Sequence, residues 1–78
     1  MSIQRIRNVF SHALAIPEEL VNEELLYSSV KEWDSVAHMA LVAALEEEFE
    51  IMLDTEEVID MSSFMVAVEI LKKHGINV

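Results

Sequence analysis

The stretch Asp34-Ser35-Val36-Ala37-His38-Met39-Ala40-Leu41-Val42-Ala43-Ala44-Leu45-Glu46-Glu47-Glu48-Phe49 reads as one helix with two apolar sides. Asp34 is a capping residue, and no glycine or proline interrupts the fifteen positions that follow it. At a helical pitch, Leu41, Leu45 and Phe49 share an arc of roughly 80°. Val36, Met39, Ala40 and Ala43 share a second arc of about 100° on the opposite side. A helix in a small bundle needs one buried stripe. The second is covered either by the rest of the chain or by a partner, and the shortage of other helices favours the partner. Glu46, Glu47 and Glu50 fall beside the second stripe. They also crowd the helix C-terminus, where the peptide dipole disfavours negative charge by roughly 0.3–1 kcal/mol each. A basic partner explains them; solubility is the competing explanation.

Toward the N-terminus, residues 15–33 show no period. A connection of that length is unusual in a compact domain, and Leu20, Leu25, Leu26 and Val30 are expected to pin it onto the helices. Trp33 reads as its anchor to the core, and Tyr27 as loop packing. Before the loop, Ile3, Ile6, Val9, Phe10, Ala13 and Leu14 recur at three- and four-residue steps, which predicts a helix over about 3–14. Ser2 would cap it, Gln4, Arg5, Arg7 and Asn8 would take its wet side, and Pro17 would prevent its continuation.

Toward the C-terminus, Asp54 followed by Glu57 has the spacing of a capping box and predicts a short helix near 55–60. Ser62 or Ser63 then caps a last helix over about 63–74, with Phe64, Ala67, Val68 and Leu71 on one face. Lys72, Lys73 and His74 followed by Gly75 form its stop signal. The expected fold is all-α: a small bundle of three longer helices and one short one, as a single domain over 1–78, with a long ordered loop between helices one and two. Met39, Met52, Met61 and Met65 suit an adaptable surface or core filling, with at least half of them expected inside.

Composition narrows the function. The chain has 78 residues, a net charge of −10, one glycine, one proline and no cysteine. A chain this short buries only about 60% of its unfolded surface, so marginal stability is expected. Cysteine-ligated zinc and disulfides are excluded. All fifteen acids lie between Glu18 and Glu69, where Lys31 is the only base. Such a field repels phosphate backbones and anionic lipid, so nucleic acid and membranes are poor partners and a basic protein surface is a good one. The longest apolar run, Met39–Leu45, is far below the roughly 18 residues of a membrane span. Asn8, Ser11 and His12 interrupt what would otherwise mimic a secretory leader before Ala13-Leu14-Ala15. A cytoplasmic monomer is expected.

Glu32-Trp33-Asp34-Ser35-Val36, followed by Leu41, Leu45 and Glu46-Glu47-Glu48-Phe49, resembles the acyl carrier protein family. There an Asp-Ser-Leu motif opens the second helix, and an acidic stretch with Phe closes it. The likeness runs on through Asp54-Thr55-Glu56-Glu57, Met61 and Ser62-Ser63-Phe64, and so spans essentially the whole chain.

The resemblance implies that Ser35 receives a 4′-phosphopantetheine arm from coenzyme A, installed by a phosphopantetheinyl transferase. Asp34 would help position that enzyme's metal and the serine. The thiol of the arm would carry acyl groups as thioesters for ligases or synthases of fatty-acid, polyketide or related biosynthesis, the carrier itself catalysing nothing. The family's docking residues map onto Val36, Met39, Ala43, Glu46, Glu47 and Met61, and its core positions onto Leu41, Leu45, Phe49, Phe64 and Val68. Between those helices the family can shelter an acyl chain. The chain departs from the pattern at Lys31-Glu32, where Leu-Gly is usual, at Val36 in place of Leu, and at Ala40, where a recognition Glu is common. Peptidyl carriers typically show Gly-Gly ahead of the motif, and its absence favours acyl cargo. An unmodified acidic adaptor and an aminoacyl or peptidyl carrier are the alternatives.

Other constellations carry less. Asp34, Ser35 and His38 lie too close in sequence for a converging triad. His38, one turn after Ser35, is expected to be an exposed idle side chain, with an approach to the phosphodiester as the other reading. His12, His38 and His74 have no metal-ligand spacing, and the EF-hand pattern lacks its central glycine, so no specific metal site is expected.

Overall fold

The computed structural model describes residues 2–77, with side chains from Ile3 to Asn77. Four α-helices follow in order, α1 (Ser2–Leu14), α2 (Ser35–Phe49), α3 (Thr55–Asp60) and α4 (Phe64–Lys73), with a 3-10 turn at Glu18–Leu20 in the long loop. The all-α bundle of three longer helices and one short one is thus the fold. The expected cap at Ser2 lies outside the described side chains.

One core unites all of it. Ile6, Phe10 and Leu14 bring the stripe of α1, Leu41, Val42, Leu45 and Phe49 that of α2, and Phe64, Ala67, Val68, Ile70 and Leu71 that of α4. Phe10 is the hub. Its ring meets Trp33 edge-on at 5.5 Å and Phe64 edge-on at 5.1 Å, the arrangement that aromatic quadrupoles favour. Trp33 is fully buried, so the last turn of the loop is fastened to the core immediately before α2 begins.

The loop is ordered, and two of its four expected pins hold: Leu25 is buried and Val30 packs partly against the core. Leu20 and Leu26 are exposed instead, and Ile16 and Val21 are buried in their stead. Backbone pairing explains the exchange. The Leu25 carbonyl accepts from the Phe64 amide at 3.0 Å and the Tyr27 amide donates to the Ser62 carbonyl at 2.8 Å. This extended pairing alternates its side chains, turning Leu25 inward and Leu26 outward. Arg7, expected on the wet side of α1, is half-buried instead. Its Nε donates to the Val21 carbonyl at 2.9 Å, and its guanidinium sits 5.8 Å from the centre of the Phe64 ring. It satisfies a loop carbonyl that helical periodicity cannot reveal.

The helix ends follow the sequence closely. Asp54 accepts from the Glu57 amide at 2.8 Å while Glu57 accepts from the Asp54 amide at 3.1 Å, a complete capping box. Ser63, rather than Ser62, caps α4 through the Val66 amide. At its other end Gly75 takes φ +88°, and the Gly75 and Ile76 amides return to the Lys72 and Leu71 carbonyls. That is a Schellman closure, which requires the left-handed conformation glycine adopts freely. Two further ends use the left-handed conformation without glycine: Ala15 (φ 56°) after α1 and Glu50 (φ 54°) after α2.

Candidate functional site at the start of helix two

Asp34 lies in extended backbone and accepts from the Ala37 amide at 2.8 Å, while its carbonyl accepts the His38 amide. Ser35 is therefore the first residue of α2 and stands exposed to solvent. The cap serves the third amide of the helix. Those of Ser35 and Val36 have no partner among the described residues, so two N–H groups and the positive end of the helix dipole lie beside the serine. An anion bonded to this hydroxyl would sit where the backbone favours negative charge.

The expected second stripe is on the surface. Val36 is 79% exposed and Met39 59%, with Ala40, Ala43 and Glu47 exposed on the same side. The opposite side, Leu41, Val42, Leu45 and Phe49, is buried. The chain therefore leaves an apolar strip along α2 that begins at Ser35 and ends among carboxylates.

Two residues assigned to that surface belong elsewhere. Met61 is 1% exposed; it closes α3, where its amide bonds the Glu57 carbonyl, and its side chain drops into the core. Glu46 is half-buried and spends its carboxylate on the Leu53 amide at 2.9 Å, fastening the α2–α3 connection. Met39, Met52 and Met65 are exposed, so of the four central methionines only Met61 fills the core. The hydrophobic interior is already supplied by leucine, valine and aromatic residues.

His38 is neither idle nor turned to the serine. The Trp33 indole Nε1–H donates to its Nδ1 at 3.0 Å, and its Nε2 lies 2.8 Å from the Val58 carbonyl. The two rings stack at 19° and 6.0 Å, and Tyr27 meets the imidazole edge-on at 5.5 Å. With both nitrogens engaged, the imidazole has no lone pair for Ser35, and a base–nucleophile pair does not form. Neither residue number nor periodicity signals this role, because its partners lie five residues back and twenty ahead.

Two open grooves lie away from the serine. One, of about 550 Å³, runs between α1 and α2 and is lined by Val9 and Ala44 with Arg5, Asn8, His12, Glu47 and Glu48. Ala44 is about 14 Å along the helix from Ser35. The other, of about 300 Å³, lies beside Met65, Val66 and Ile70 of α4, with Asp60, Glu69 and Lys73 at its edge. Among the described residues no cluster of three or more His, Cys, Asp or Glu side chains is placed to hold a metal. No helix among them is long and apolar enough to cross a membrane. No protein-family model matches the chain.

Proposed function

We propose that this protein is an acyl carrier whose Ser35 hydroxyl is the attachment point for 4′-phosphopantetheine. The observation that carries the reading is the exposed serine directly behind the Asp34 cap, with the Ser35 and Val36 amides unclaimed beside it. These residues fit the group. The hydroxyl is accessible to a transferase, the two amides and the dipole favour a phosphodiester, and nothing acidic but Asp34 stands next to the serine in sequence. Asp34 holds the first turn in place with one carboxylate oxygen, Oδ1, leaving the other for the transferase. When bound, the arm supplies the thiol that this cysteine-free chain lacks.

The strip of Val36, Met39, Ala40 and Ala43, ending at Glu47, suits docking to loading ligases or synthases whose apolar contact patch is ringed by Lys and Arg. Acyl transfer would then be the work of those enzymes. The carrier's own residues hold the serine outward, keep the first turn formed and present the strip.

Incubation with coenzyme A and a permissive phosphopantetheinyl transferase tests the proposal. A mass gain of one phosphopantetheine in the wild type, absent in Ser35→Ala, is expected. No gain on a sample that is folded by circular dichroism overturns it and leaves an unmodified acidic adaptor docking through the same strip. An aminoacyl or peptidyl carrier would gain the same mass, and cargo captured on the arm distinguishes it.

A further inference from the structure

Helix α3 is the least embedded of the four α-helices. None of its residues is fully buried, and only Val58 packs partly against the core. Its polar ties to the neighbouring helices both run through imidazoles. The Val58 carbonyl meets His38 of α2, and the Glu57 carboxylate meets His74 at the end of α4, at 2.9 and 3.0 Å.

The His38 tie admits one protonation state. An indole nitrogen is a donor only, so Nδ1 must accept from Trp33; Nε2 then carries the ring proton and donates it to Val58. Neutral imidazole in this tautomer satisfies both partners. Imidazolium has N–H on both nitrogens, and its Nδ1–H would point at the Trp33 N–H.

We infer that His38 is a proton-operated latch joining the loop, α2 and α3. A proton taken from solvent at Nδ1 ends the Trp33 bond, the ring leaves the line between Trp33 and Val58, and α3 loses its tie to α2. The groups packed around the ring do not offset this. Tyr27 is uncharged and meets the imidazole at 84°, Asp34 forms no ion pair with the ring among the described residues, and α3 offers a carbonyl while its Glu57 is turned to His74. The Glu57–His74 tie has the opposite sign, since a proton on His74 strengthens it. Protonation of both rings therefore loosens α3 from α2 while leaving it tethered to α4. The latch is independent of whether Ser35 carries a group.

Amide hydrogen exchange of the full chain by NMR, between about pH 7.5 and about pH 5.5, tests it. Protection of the Val58 and Met61 amides, corrected for intrinsic rates, should fall roughly tenfold while α1 stays constant, and the Trp33 indole N–H resonance should move in step. His38→Gln should remove the pH dependence and His74→Gln should retain it. A flat wild-type profile, persistence in His38→Gln, or loss in His74→Gln overturns the inference. Should His38→Gln fail to fold, the wild-type ring nitrogens decide. Indole and α3 signals that follow the His38 titration support the latch, and signals that follow a different midpoint overturn it.

Discussion

His74 Nε2 lies 2.9 Å from Glu57 Oε1, so the last turn of α4 is tied to the capping box of α3. Glu57 thus does three things at once: it closes the box with Asp54, offers its amide to Asp54, and receives His74. The hydrogen bond from His74, and after it the Asp54 amide, hold the Glu57 carboxyl below its ordinary value of 4.5. Since the folded value lies below the unfolded one, this carboxylate contributes stability above pH 4.5 and loses it as pH falls through the folded value. Thermal melts of wild type and Glu57→Gln should show a wild-type advantage near neutrality that shrinks below pH 4.5. An advantage that stays constant into acid would dissociate Glu57 from the pH response.

Asp34 separates structure from modification. It caps α2 through the Ala37 amide, so Asp34→Ala should cost about 1 kcal/mol. Asn caps as well as Asp, so Asp34→Asn should melt near the wild type. Under the carrier reading, the same Asn variant should be modified by the transferase more slowly, because the second, charged oxygen is gone. Equal rates for Asp34→Asn and wild type, measured by intact mass against time, would leave Asp34 a cap and nothing more.

Much of this arrangement is readable in the sequence, and the reason is periodicity. Leu41, Leu45 and Phe49 repeat at the helical interval and are buried; Val36, Met39 and Ala43 repeat on the other side and are exposed. Caps are equally local, so Asp34, Asp54 and Gly75 announce their helix ends within three or four residues. Contacts that cross between segments leave no such trace. Leu26 points outward because its neighbours pair with Ser62 and Phe64, Arg7 turns to a loop carbonyl, and Met61 sinks into the core between two helices. At the candidate site the serine and its cap were local and legible. His38 was not, since an imidazole held by Trp33 and Val58 has the same sequence signature as an idle one.

The two non-glycine left-handed residues that follow helices store removable strain. Ala15 (φ 56°) and Glu50 (φ 54°) follow α1 and α2, and the Ile16 and Ile51 amides close those ends on the Ser11 and Glu46 carbonyls. A side chain in this conformation costs about 1–2 kcal/mol, against about 0.5–1 kcal/mol for the extra unfolded-state freedom of glycine. Ala15→Gly and Glu50→Gly should each stabilise the fold by about 0.5–1 kcal/mol, read as a higher urea midpoint at unchanged slope. Glu50→Gly should gain the more, since it also removes a carboxylate from the negative end of α2. A lower midpoint for either variant would show that the left-handed closure is not what ends that helix.

Charge sets the last expectation. Ion pairs among the described residues engage Glu48 with Arg5, Glu69 with Lys72 and Glu57 with His74. The Arg5 guanidinium also lies 4.7 Å from the centre of the Phe49 ring, so the α1–α2 contact takes up one of the few cations. The other carboxylates of a chain with net charge −10 repel one another in the folded state more than in the expanded chain. Screening shortens that repulsion to about 10 Å at 0.1 M salt, so raising sodium chloride from about 0.01 M to about 0.3 M should raise the melting temperature. The Arg5–Glu48 pair is exposed and contributes about 0–1 kcal/mol, so its screening works the other way only weakly. Arg5→Gln should therefore lower the melting temperature in low salt and make the upward response steeper. A melting temperature that is flat or falling with salt in the wild type would mean that the paired charges, few as they are, outweigh the unpaired ones.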